Sequence, residues 1–125
     1  MSEDGTEKLH RWESLPLESI AEGIGRRLVT GRQTMLAHIR LDKGALVPQH
    51  SHENEQFSYV LEGALRFHLE DDRSREVIVR AGEVLHIPSN IAHEAVAIEQ
   101  TLTLDIFTPV RKDWLEGSDT YFREQ

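Results

Sequence analysis

The chain has no cysteine among its 125 residues, which excludes disulfides and thiolate metal ligands. Any metal here must be held by histidine, carboxylate or amide groups. The absence does not fix the compartment. Positive charge is also scarce: 14 Lys and Arg stand against 22 Asp and Glu, a formal net charge of −8. No basic cluster could follow a phosphate backbone, so nucleic acid is not an expected partner. Long apolar runs are missing. None approaches the roughly 20 residues of a membrane span, so no membrane association is expected. The first eight residues are acidic and lack the apolar stretch of a signal peptide, which makes the cytoplasm the expected location. With 38% hydrophobic and 29% charged residues, what remains is ordinary globular composition at a length that supports one core.

Residues 1–11 are polar and expected to be flexible, with a single β domain and a short C-terminal extension over residues 12–125. Short apolar stretches separated by turn residues place strands at 24–29, 33–41, 56–62, 64–69, 76–79, 84–87, 92–98 and 101–108. A polar hairpin tip is expected at 71–74 and a helical turn at 111–117. This spacing indicates an all-β sandwich or barrel. Trp12, Leu15, Leu17 and Ile20 read as a segment laid over its outside, with Trp12 as a plug rather than a ligand contact. Trp114, Tyr121 and Phe122 are expected to cap the barrel or to pack in a homodimer.

The stretch from Gly44 to Gly63 carries the chemistry. His50 and His52 are two residues apart and Gln56 lies four further on. Alternate residues of an extended strand share a face, so the three can point to one side of a single strand. His93 is available as a fourth ligand. Three imidazoles and an amide oxygen would hold one divalent metal ion, and ligand type alone permits Zn, Ni, Fe, Mn or Co. Glu53 or Glu55 could approach if the strand is irregular. His38 could line the barrel. His10, His68 and His86 are expected to be solvated, packed or exposed rather than ligands.

Gly44, His50, His52 and Gly63 fit the first motif of the cupin family, which has glutamate where this chain has Gln56. Gly82, Pro88 and His93 fit the second, with Asn90 in place of its second glycine and Ala97 in place of its asparagine. The chain therefore resembles a cupin, and the resemblance implies a double-stranded β-helix, or jelly-roll barrel. A narrower likeness adds Leu104, Asp105, Phe107, Pro109, Arg111, Asp113, Trp114 and Leu115. It is similar to the small KdgF-type cupins of pectin and alginate breakdown, which convert unsaturated monouronates to linear keto forms at a divalent metal held by three His and one Gln. That resemblance implies Asp105, Phe107 and Arg111 as active-site residues.

Thr103, Asp105 and Phe107 alternate with Leu102, Leu104 and Ile106. If the Leu/Ile set packs elsewhere, Asp105 and Phe107 face the interior. Asp105 is then either a general base or a structural acceptor. Arg111 either grips a substrate carboxylate through two hydrogen bonds or pairs with Asp113 or Glu116, and Phe107 walls the pocket. The expected activity is isomerisation: linearising a 4,5-unsaturated uronate or a similar small anionic sugar-derived substrate. The alternatives are a metal-dependent dioxygenase and a non-catalytic sugar-binding cupin. A ligand set without carboxylate tilts the reading from oxygen activation towards Lewis-acid chemistry.

Overall fold

Turn residues cut this chain into short strands, and the strands stack into two antiparallel sheets. The computed structural model describes residues 6–70 and 75–117. The expected tip at 71–74 and the residues Tyr121 and Phe122 lie outside the described residues. In chain order the strands are β1 (Glu18–Ala21), β2 (Ile24–Thr30), β3 (Met35–Leu41), β4 (Leu46–His50) and β5 (Glu55–Glu62). They continue with β6 (Ala64–Leu69), β7 (Glu76–Arg80), β8 (Val84–Ile87), β9 (His93–Ala97) and β10 (Thr101–Thr108). A short α-helix, α1 (Lys112–Glu116), follows them, and a single 3-10 turn at Trp12–Ser14 precedes them. No helix of those residues is long and apolar enough to cross a membrane.

One sheet has the order β1-β2-β3-β10-β5-β8 and the other β4-β9-β6-β7. Met35, Ala37, Val60 and Phe107 of the first sheet pack with Leu65, Phe67, Val79 and Ala95 of the second in one core. Alternation decides which side chains enter it. On β5, Gln56, Ser58 and Val60 are buried while Phe57 and Tyr59 turn outward. On β10, Thr103, Asp105 and Phe107 are buried, with Asp105 opposite Ser58 and Phe107 opposite Gln56. Polar residues thus collect on the inner face of the large sheet, at one end of an otherwise apolar core.

The sequence reading omitted β1, an edge strand whose register shifts between Ser19 and Ala21. Of its four residues only Ile20 is buried, too little to produce a period-2 signal. The strand expected from residue 33 begins at Met35 instead, because Gly31 N–H donates to Thr34 O at 2.9 Å and closes a turn there. Trp12 does lie on the outside. Its ring stacks on that of His38 at 4.6 Å and 12°, and Arg27 Nε donates to the nearby Leu15 O at 3.0 Å. His38 consequently does not line the interior: β3 buries Met35, Ala37, Ile39 and Leu41 on its inner face and turns His38 under Trp12.

Candidate metal centre

His50 ends β4 and is the register partner of His93, which begins β9. Neighbouring strands therefore hold the two rings 4.3 Å apart. The chain leaves the sheet after His50, and His52 sits in the connection to β5, its ring 5.1 Å from that of His93. Ligand nitrogens of the three histidines all lie within 4.8 Å of one another. Gln56 comes from the opposite sheet. The expectation of one strand presenting His50, His52 and Gln56 on a shared face is therefore corrected. The strand stops at His50, and the group is assembled across the gap between two sheets.

The outer nitrogens of the rings show how the inner ones are held. His50 Nδ1 lies 2.8 Å from Pro48 O, His52 Nδ1 3.0 Å from Asn54 O, and His93 Nδ1 2.8 Å from Ile91 O. A carbonyl oxygen only accepts, so each Nδ1 carries the hydrogen and each neutral ring presents its Nε2 lone pair. Burial favours the neutral form: it lowers His50 to about 3 and His52 to about 4, and lowers His93 as well. The neighbouring rings and the Arg111 guanidinium act in the same direction.

His93 Nε2 is buried without a hydrogen-bond partner. His52 Nε2 faces Gln56 Oε1 at 3.0 Å, while Gln56 Nε2 donates to Ser58 Oγ at 2.9 Å. With Nδ1 turned to Asn54 O, the Nε2 lone pair and the amide oxygen converge in a way that suits a shared cation. The donor set fits a divalent metal, with imidazole nitrogens and second hydrogen bonds that orient them.

Asp105 lies deeper on the same wall. Thr103 Oγ1 donates to its Oδ1 at 3.1 Å, and Ser58 faces it as its register partner on β5. Burial raises the Asp105 carboxyl from 3.8 to about 6, against the opposing pull of Ser58, Thr103 and Arg111. Arg111 is only 1% exposed, and its Cζ lies 5.1 Å from the Phe107 ring centroid and 4.6 Å from that of Trp114. Its Nε and Nη2 donate to the two oxygens of Asp113 at 2.9 and 2.7 Å. Burial alone would raise Asp113, but the Arg111 hydrogen bonds and charge outweigh it and hold that carboxyl below the usual range. One cavity is lined by His50, Gln56, His93, Asp105, Phe107 and Arg111.

The cupin domain family matches residues 37–107, a span that runs from β3 to the inner face of β10. The chain belongs to the cupin family. Its fold is accordingly the all-β jelly roll, as the motif glycines and histidines imply. Among solved structures it is similar to KdgF from Halomonas sp., at 28% identity, with a TM-score of 0.80 over 87% of this chain and 99% of that one. It is equally similar in sequence to an RmlC-like cupin from Shewanella frigidimarina, with a TM-score of 0.78 over 87% of this cupin and 96% of the other. The polyketide cyclase RemF from Streptomyces resistomycificus shares the fold, at 24% identity and a TM-score of 0.71 over 85% of this chain and 81% of its own. No curated protein matches this cupin.

Glu53, Glu55, His10, His68 and His86 lie away from the cluster. Glu55 turns outward to His86 Nε2 at 2.6 Å, and Glu53 is exposed, so neither approaches as the sequence allowed. His68 lies between Glu76 and Glu94 at 3.3 and 3.4 Å, and His10 is exposed. Trp114 is buried at the barrel end with its ring 5.0 Å from that of Phe107, and Arg26 lies over it at 4.4 Å. Sequence reasoning missed Asn54 and Ser58. Ser58 was legible as the next inward position after Gln56 on one strand. Asn54, whose Nδ2 donates to Pro109 O at 2.6 Å, had no signal, because its partner is 55 residues away.

Proposed function

We propose that this cupin is a metal-dependent isomerase that opens a 4,5-unsaturated uronate, or a similar small anionic sugar acid, to its linear keto form. His50, His52, His93 and Gln56 would hold one divalent ion among Zn, Ni, Fe, Mn and Co. The observation that carries this reading is the presence of Asp105, Phe107 and Arg111 in the same cavity as His50, His93 and Gln56. The likeness to the Halomonas KdgF supports it. When bound, the ion supplies Lewis acidity that no carboxylate ligand diminishes.

The chain's own residues do the rest. Isomerisation moves a proton within the substrate without net gain or loss, so a single group that takes and returns it is sufficient. Asp105, raised to about 6, is suited to both directions near neutral pH. Arg111 supplies positive charge for the substrate carboxylate. Because Asp113 holds the Nε–Nη2 edge of its guanidinium through two hydrogen bonds, Arg111 acts as a fixed charge rather than a flexible clamp. Phe107 and Trp114 wall the cavity and limit water.

The test is a kinetic assay on 4,5-unsaturated galacturonate and guluronate with metal-loaded protein. It follows loss of the enol-ether absorbance beside an oxygen electrode. The expected result is acceleration over the spontaneous rate without oxygen uptake, abolished in His50→Ala and reduced by at least about 100-fold in Asp105→Ala. Oxygen uptake would favour the dioxygenase, and unchanged turnover in Asp105→Ala would remove that residue from the mechanism.

A further inference from the structure

The geometry points to Ser58 and Asp105 as positioning residues that decide which end of the Gln56 amide faces the imidazoles. This rests on the metal-centre part of the reading above and is independent of the substrate. The two ends of a glutamine amide have nearly the same shape, so their hydrogen-bond partners determine its orientation. Gln56 is 4% exposed and Ser58 is fully buried, so water does not compete for either.

Directionality follows from counting protons. Ser58 stands opposite Asp105 in the β5–β10 pairing, and both side chains are buried on the same inner face, so the hydroxyl faces the carboxyl. An ionised carboxylate only accepts, and a hydroxyl has one proton to give. Ser58 therefore gives that proton to Asp105, and its oxygen is left to accept. Gln56 satisfies it only with the NH2 end, across 2.9 Å. The amide oxygen is then forced round to His52, where it lies 3.0 Å from Nε2. Thr103 Oγ1 lies 3.1 Å from Asp105 Oδ1 and 3.2 Å from Tyr59 O, and its one proton is shared between these two acceptors.

The same count accounts for an amide rather than an acid at position 56. A carboxylate there would be a second acceptor for a hydroxyl whose proton is already committed. It would also place two buried acids one hydroxyl apart, each opposing the ionisation of the other. The residue at position 56 is thereby matched to the acid at position 105.

The test is Zn2+ affinity at mildly alkaline pH, by competition with a chromophoric chelator, for wild type, Ser58→Ala, Gln56→Ala and the double variant. Ser58→Ala is expected to weaken binding by about 10-fold. In the Gln56→Ala background the same change should cost less than about twofold, because there is no amide left to orient. The visible spectrum of the Co2+-loaded Ser58→Ala protein should shift towards that of Gln56→Ala, which a purely structural loss would not produce.

Wild-type affinity and spectrum in Ser58→Ala, or losses that multiply in the double variant, would overturn the positioning role alone. A wild-type chain that takes up no Zn2+ would overturn the metal-centre reading itself. Should Ser58→Ala fail to fold, the metal-free thermal midpoints of Gln56→Glu with and without Asp105→Asn read the same link. Asp105→Asn is expected to reduce the loss caused by Gln56→Glu, and equal losses in the two backgrounds would overturn the proposal.

Discussion

At Asp105 a carboxylic acid is placed where a carboxylate is costly, and the cost has a sign that can be measured. The folded chain holds the proton up to about 6, against 3.8 for the exposed side chain. Between those values the folded state binds more protons than the unfolded state, so this group's contribution to stability falls as pH rises through the window. Asp105→Asn removes the ionisation. In metal-free protein its stability relative to wild type should therefore rise by about 3 kcal/mol between about pH 4 and pH 7. Urea denaturation in the presence of chelator measures it, and a difference that stays flat with pH would contradict the account. The inward facing of Asp105 and Phe107 was legible as alternation with Leu102, Leu104 and Ile106. What alternation could not show is that Ser58 lies across from Asp105, because register between strands 47 residues apart leaves no mark in either one.

The connection from β4 to β5 works as an element because Asn54 ties it down. Its backbone oxygen accepts from His52 Nδ1, while its side chain donates to Pro109 O at 2.6 Å, linking the histidine loop to the segment after β10. Asn54→Ala leaves the three imidazoles in the chain but frees the loop that carries one of them. Zn2+ affinity is expected to fall by about 10-fold, with a stability loss of about 1–2 kcal/mol for the buried hydrogen bonds. Titration with Zn2+ and urea melts measure the two effects. Equal affinity in wild type and variant would show that the loop needs no tether.

Turns are where the sequence was most readable. Gly63 stands at φ 87°, and a Cβ there would come within 2.3 Å of Gln100 O, so only glycine fits between β5 and β6. Gly63→Ala should cost about 3 kcal/mol, read as a lower urea midpoint. Asn90 replaces a motif glycine at φ 67°, a left-handed position that asparagine tolerates better than most side chains. The motif departure therefore leaves the turn intact. The edge strand β1 stayed invisible because an edge needs only one buried residue to be held.

Across the whole molecule, two sheets divide the labour of the site. The small sheet supplies His50 and His93 as register partners, and the large one supplies Gln56, Ser58, Asp105 and Phe107 from its inner face. The spacing of His50 and His52 made the cluster legible while giving the wrong reason for it. A shared strand face would need no second sheet, whereas the observed centre exists only when both sheets are packed. A metal held there would couple its binding to folding, because anything bound to the folded chain alone adds to its stability.

X-ray absorption at the metal edge, on protein loaded with Zn2+ and freed of excess metal, tests the central claim most directly. The account expects one ion per chain with the scattering of three imidazoles and no sulfur. It also expects that Gln56→Ala keeps the imidazoles while losing an oxygen ligand. An ion bound by fewer imidazoles, or uptake that survives replacement of His50, His52 and His93 together, would contradict it.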